Sequence, residues 1–519
     1  MKAKILSWID RLIKLLKNPF TNKIVIFVLG IGSIIWFLIR VIPKPSRATY
    51  PCMRASAPIM SAFVIYLITL FGSVSAFRTA RKHFAKSKYI YGSLFVCIAL
   101  VFVLFSISEK PQQAYARLVN ASSISANSPI GVPKGIFPGR VVWAHDPKVA
   151  LWNGKTGFWW EDGCNSQAES DKLMANSLVL LTGQKNEAKA WNALFKHFNT
   201  SKKRGDKGYQ SNQKIAIKIN ENNTEAHANT NEINASPQVV FSLVRSLVEE
   251  AGVPQKNITV FDASRYITDN IYNKCHAKFP EVQFVDNVGG DGRIKATYVD
   301  NAIPYSADNG KLARGLATCA TEADYLINLA LLKGHVGQGV TLCAKNYYGV
   351  TSIDKNWRLN AHNNFNQDKS GNPKYMTFTD FLGHKDLGGK TMLFLIDATY
   401  GNKLVNGIPQ NKWQMEPFNN NWPCSLFASE DPVAIDAVGT DFILNEFPDA
   451  PDLKNCDQYL IESALANHPP SGTHYDPERD GTGLESLGVM EHWNNAREKK
   501  YTGNLKPGKG IELIYKKIN

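Results

Sequence analysis

KIAIKINENNTEAHANTNEINASPQVVFSLVRSLVEEAGVPQKNITVFD, residues 214–262, is the stretch that sets the fold class. Its first seven residues, 214–220, alternate apolar and polar, a period of two that belongs to a short strand. A polar, asparagine-rich loop follows, and Ser236-Pro237 then supply an N-cap and a first-turn proline. Val239, Val240, Leu243, Val244, Leu247 and Val248 recur at helical spacing up to Gly252, placed as a C-cap glycine would be. Residues 257–262 (NITVFD) return to strand character. Strand, helix and strand in close succession is the unit from which parallel sheets are built.

Working outward, short apolar runs at 282–286 (VQFVD), 325–332 (YLINLALL), 392–397 (MLFLID) and 425–429 (SLFAS) read as further strands. Their near-continuous apolar character predicts burial on both faces, and therefore an α/β fold with a mainly parallel sheet covered by helices. The segment DPVAIDAVGTDFILNEF, 431–447, reads as a helix, and residues 450–519 as an appendage of loops and short elements.

Polar residues recur where these strands end. Lys218 and Asn220 close the first strand and Asp262 the second. Lys333 and His335 follow 325–332, Asp397 ends 392–397, and Glu430 and Asp431 follow 425–429, with Asp436 in the helix beyond. Open α/β sheets bind ligands in the crevice outside the carboxyl ends of their strands, so five such ends together predict one cleft. Within LLKGHVGQGVTLCAKNYYGV, 331–350, Gly334, Gly337 and Gly339 predict a flexible loop. Residues 339–349 then read as a short helix ending at Gly349. A helix N-terminus behind a glycine-rich loop offers backbone N–H groups to an anion. Lys218, Lys333 and Lys345 are the expected anion-binding or polarising groups, with Asn220 and Asn346 orienting the ligand. His335, Asp262 and Asp431 are the candidate proton carriers.

A metal is a second expectation at the same place, with His335 and His362 as candidate ligands and His384 and Asp397 nearby, although no pair has the spacing of a zinc motif. Residues 476–483 (DPERDGTG) begin like a calcium loop, but Leu487 stands where its closing glutamate belongs, so a solvated turn is expected. The aromatic run Phe158-Trp159-Trp160 is expected to pack a core or a sheet edge.

Taken together, the KxN of IAIKIN (Lys218, Asn220), the KxH of LLKGH (Lys333, His335), the segment carrying Thr341, Lys345 and Asn346, and DPVAIDAVGTD with Asp431 and Asp436 resemble the domain-of-unknown-function 362 family. The resemblance covers roughly residues 205–445. It implies a bacterial origin and an α/β domain, and it marks those residues as the signature, Thr341 and Asp436 among the ligand-side positions. It implies no reaction and no particular cofactor. Some members of the family carry an added ferredoxin-type cluster domain, whereas this chain has no CxxC among its 8 cysteines.

Charge locates the rest. The net +14 of this 519-residue chain arises in residues 1–110, where 16 Lys and Arg face only Asp10 and Glu109. The remainder is balanced at 43 basic and 43 acidic residues, which removes the main support for nucleic-acid binding. Apolar runs at 24–42, 57–77 and 89–107 each approach the ~20 residues that span a bilayer as a helix. Six basic residues precede the first run and five lie between the second and third, against three between the first and second. The positive-inside rule then puts the N-terminus in the cytoplasm and the C-terminal part outside.

The expected organisation is a membrane anchor at 1–109 with three transmembrane helices, a tether at 110–140, and an extracytoplasmic α/β domain at 141–519 facing the periplasm from the bacterial inner membrane. Outside the cytoplasm its six cysteines are permitted to pair, in combinations that spacing does not assign. The leading reading is a pocket for a polar or anionic small molecule, with enzymatic activity left open. The rival readings are a non-catalytic subunit docked to envelope proteins, and a metal-dependent enzyme.

Overall fold

The computed structural model describes residues 125–307, 313–337, 339–352, 373–450 and 456–518, with parts of 75–97. By its internal contacts the chain divides into Met1–Leu118 and Val119–Asn519. In the first unit residues 77–85 are helical. Among the described residues no helix is long and apolar enough to cross a membrane. The apolar runs at 24–42, 57–77 and 89–107 lie wholly or largely outside the described residues, as does His362.

The second unit opens with β1 (Ile130–Gly131) and β2 (Arg140–His145), followed by α1 (Gln167–Thr182) and α2 (Glu187–Ser201). The unit anticipated from residues 214–262 then appears as β3 (Ile215–Lys218), α3 (Pro237–Arg245) and β4 (Ile258–Asp262). Next come α4 (Asp269–His276), β5 (Gln283–Asp286), β6 (Ile294–Lys295), and a hairpin of β7 (Tyr298–Ile303) with β8 (Arg314–Ala317). The centre of the chain supplies β9 (Tyr325–His335), β10 (Gly339–Thr341), α5 (Cys343–Asn346) and α6 (Thr377–Gly383). The remainder is β11 (Thr391–Asn402), β12 (Ser425–Ser429), α7 (Pro432–Glu446), α8 (Asp457–Ala464), β13 (Val489–Met490) and β14 (Glu512–Lys517).

Ten strands form one sheet, in the order β14-β2-β12-β11-β9-β3-β4-β5-β6, with β10 folded back on β9. Apart from β10 and β12, all run in one direction. The fold is therefore α/β with a mixed, largely parallel sheet. Alternate residues feed two separate cores. Ile215, Ile217, Tyr325, Ile327 and Leu329 pack with Leu173 of α1, Trp191 of α2, Val240 of α3 and Ile271 of α4. Ala216, Leu326 and Ala330 face the other way, towards Phe378 of α6, Val438 of α7 and Tyr459 of α8. A sheet covered on both faces has no polar side, which is why its strands read as apolar runs. Trp159 and Trp152 join the first core, against Tyr400 and Trp422.

Three sequence expectations change here. The stretch 450–519 is part of the body: β14 pairs with β2 at the sheet edge, and β13 pairs with β1. Residues 339–349 are not one helix, because Gly339–Thr341 returns as a strand against His335–Lys333 before the single turn of α5 begins. Finally, β12 is antiparallel to β11 and to β2, so its C-terminal end lies at the opposite edge of the sheet from the ends of β3, β4, β9 and β11. No disulfide links the described cysteines.

Candidate functional site

The parallel strands β3 and β4 are in register, Lys218 opposite Phe261, so Lys218 and Asp262 emerge side by side at the same edge. Lys218 Nζ lies 3.1 Å from Asp262 Oδ2, and both side chains are about as buried as a side chain can be, at 1% and 2% exposure. The ammonium also donates to Asn346 Oδ1 (2.9 Å) and to the carbonyl of Ile219. An ammonium has three N–H donors, so Lys218 is fully satisfied by the protein itself. Burial lowers its pKa, and the Asp262 carboxylate opposes that shift.

Asn346 acts as a bolt. Its Nδ2 donates to Asn328 Oδ1 (2.8 Å) on β9 and, less closely, to the carbonyls of Leu329 and Lys218. Its Oδ1 accepts from Lys218 Nζ and from Asn220 Nδ2 (3.3 Å). These partners fix which way the amide points and tie α5 to β3 and β9. Gly349 closes over the pair: a Cβ there would stand 2.7 Å from Asp262 Oδ1 and 2.8 Å from Lys218 Nζ. Only glycine allows that approach.

Around this pin lies a polar cavity of about 90 Å³. Its walls include Asn220, Glu221 and Asp262 from the ends of β3 and β4, Arg265 beyond β4, and His335, Thr341 and Lys345 from β9, β10 and α5. Lys345 Nζ stands 4.5 Å over the ring of Tyr348, itself a wall residue. His335 Nδ1 is 2.6 Å from the carbonyl of Val336, which places a proton on that nitrogen. Lys333 is not in the wall. It is buried behind it and donates to the carbonyl of Val405 (2.8 Å). Burial, then the positive charges of Lys345 and Arg265, push its ammonium well below the ordinary lysine range.

Glu221 is the site residue that sequence reasoning passed over. It follows Asn220 directly, inside a loop whose polar composition hid it. Its backbone N–H donates to Asp262 Oδ2 (3.1 Å), and its side chain is 2% exposed with no hydrogen bond to either carboxyl oxygen. Burial drives its pKa well above the carboxylate range, Asp262 adds to the rise, and Lys218 and Lys333 oppose it. Asn220 Oδ1 and Thr341 Oγ1 are likewise buried without partners.

Two expected members stand elsewhere. Asp431 is at the opposite edge of the sheet, where it caps α7: its carboxylate accepts from Val433 and Ala434 N–H, and from those of Lys134 and Val489. Burial raises its pKa to about 7. Asp436 accepts from the N–H groups of Cys343 (2.8 Å) and Ala344 (2.9 Å). The N–H groups expected to meet an anion at the start of α5 are thus already bonded to a buried carboxylate, and the helix N-terminus is not an anion site. Asp436 holds the turn that presents Lys345 and Asn346.

The remaining strand-end carboxylates share a local motif. Asp262, Asp286, Asp397 and Asp431 each accept from the N–H two residues on, at 2.9–3.1 Å. That is turn chemistry, and it accounts for Asp397 without a ligand. His384 is buried between the Ala302 carbonyl and the Asp386 N–H, and burial lowers its pKa to about 4. In the 476–483 loop, Asp476 and Asp480 accept backbone N–H groups of the same loop. Among the described residues no group of three or more His, Cys, Asp or Glu is arranged to hold a metal ion.

With this geometry in place, the comparison with known families falls on the same residues. Residues 215–441 match the model of a family described as a domain of unknown function (DUF362). The match runs from β3 into α7 and contains every cavity residue named above. No curated protein matches the chain.

Proposed function

We propose that the α/β domain binds a small anionic ligand in the cavity at the C-terminal ends of β3, β4 and β9. The observation that carries this reading is the convergence of Arg265, Lys345 and His335 with the amide and hydroxyl groups of Asn220 and Thr341 on one polar cavity. The Lys218–Asp262 pair is internally neutral, and Arg265 and Lys345 are the other cationic side chains among the wall residues. Desolvated positive charge at a strand-end crevice suits a phosphate or carboxylate. Lys218 and Asn346 act here as scaffold, and Lys345 and Arg265 as the binding groups.

Titration calorimetry with inorganic phosphate and with small carboxylates tests the reading. Lys345→Met is expected to weaken binding at least about tenfold, the loss of one charge-assisted hydrogen bond of ~1.5–3 kcal/mol, in a variant shown by thermal unfolding to be folded. Equal affinity in a folded Lys345→Met protein, or no binding of any anion by the wild type, would refute it. The second outcome would favour the non-catalytic subunit of an envelope complex.

The reading extends to a membrane-anchored, periplasm-facing protein of the bacterial inner membrane, supported by the three apolar runs and by the basic residues that flank them. Limited proteolysis of spheroplasts checks this. The domain is expected to be cleaved by protease added outside the spheroplasts, and full protection until lysis would sink the orientation.

A further inference from the structure

The proposed cavity has more acceptors than an anion can use. Glu221 contributes two carboxyl oxygens and Asn220 its Oδ1, all buried and all without a hydrogen-bond partner. The assignment of Asn220 follows from its neighbours. Asn346 Oδ1 already accepts from Lys218, so the group of Asn220 that faces it must be the donor Nδ2, which leaves Oδ1 on the other side. Protonating Glu221 does not remove the mismatch, because a carboxylic acid keeps a carbonyl oxygen that only accepts. Buried acceptors left unpaired cost about 1–3 kcal/mol each. A bare anion has no donors to supply.

We propose that the ligand is a hydroxylated organic anion, its anionic group held by Lys345 and Arg265 and its hydroxyls donating to Glu221 and Asn220. Polyol phosphates and hydroxy acids share this chemistry. The inference rests on the anion reading and adds the part of the ligand that the cations do not explain. A metal ion or an ammonium group would also meet oxygen acceptors, but it would enter beside positive charge. Lys218 already acts on Glu221, and Arg265 and Lys345 line the same cavity. Neutral O–H groups satisfy the oxygens without adding charge.

Paired ligands test it on the full chain. Glycerol 3-phosphate is compared with propyl phosphate, and glycerate with propionate, each beside its inorganic or unsubstituted anion, by titration calorimetry. At least one hydroxylated member is expected to bind about tenfold or more tighter than its alkyl partner, the worth of one to two hydrogen bonds. In Glu221→Leu, shown by thermal unfolding to be folded, that preference should fall to about threefold or less. Glu221→Gln, which keeps the shape and one acceptor, serves if the leucine variant does not fold, and should lose part of the preference. Equal binding within both pairs, or an undiminished preference in the Glu221 variants, overturns this inference and leaves anion binding standing. A preference that appears only with Mg²⁺ and vanishes with chelator also overturns it, by giving the Glu221 oxygens to a cation. Failure of every anion, phosphate included, removes the underlying reading as well.

Discussion

Replacing Lys218 by methionine removes three donors from a buried site. Asp262 Oδ2 would keep the Glu221 N–H, and Asp262 Oδ1 would keep Ser264 N–H and Oγ at 3.0 Å. Asn346 Oδ1 would keep only Asn220 Nδ2, and the Ile219 carbonyl would lose its Lys218 bond. Methionine preserves the volume, so the loss is electrostatic and not a cavity. Breaking one side of a buried ion pair costs about 3–5 kcal/mol, because it strands the other charge. The unit Val119–Asn519 contains roughly 400 residues, whose unfolding entropy near the midpoint is ~0.8 kcal/mol per degree. The melting temperature of Lys218→Met should therefore fall by ~4–6 °C, followed by tryptophan fluorescence on the full chain. Adding Asp262→Asn removes the stranded charge, so the double variant should be less destabilised than the sum of the two single ones by more than ~1 kcal/mol. A drop of under ~1 °C for Lys218→Met, or additive single effects, would refute the view that this pair pins the site and would return Lys218 to the ligand.

Two further perturbations probe the frame around the site. Asp431→Asn keeps an oxygen to cap α7 but turns an amide NH2 towards the N–H groups of Lys134 and Val489, which should cost about 1–3 kcal/mol, yet leave phosphate affinity unchanged, since Asp431 stands at the far edge of the sheet; calorimetry showing weakened binding would contradict that placement. His492 is held between Asp441 (2.6 Å) and Asp457 (3.1 Å), which raise its pKa to about 10 against the opposing effect of burial. A histidine whose folded pKa is raised stabilises fully below its unfolded value near 6.5, and that stability is lost as pH climbs through about 10. Unfolding followed from pH 6 to 10.5 should lose on the order of 4–5 kcal/mol from this group, and His492→Asn should start lower and flatten that decline; parallel profiles would exclude the role.

The strand-end aspartates show how far local sequence reaches. That Asp262, Asp397 and Asp431 end or follow apolar strands is visible in the sequence, and so is the helix that begins at Pro237. Both follow from periodicity and from turn preferences that act over a few residues. Strand direction is not local. SLFAS has the same apolar pattern whichever way it runs, and only its pairing with β11 and β2 turns it antiparallel and carries Asp431 to the far edge. The capacity of a side chain is not local either. Lys218 and the N–H groups of α5 look available in the sequence and prove to be bonded, to Asp262 and Asn346 in one case and to Asp436 in the other.

Glu221 shows the converse. In the sequence it is one polar residue in a polar loop, and it becomes conspicuous only once burial removes water from its carboxyl group and leaves the oxygens unpartnered. The sequence by itself determined the α/β class and the neighbourhood of the cavity, because hydrophobic periodicity is written residue by residue. Which groups in that neighbourhood face a ligand was decided by tertiary structure alone, since a hydrogen bond joins residues as distant as 218 and 346 and leaves no trace in either one's local context.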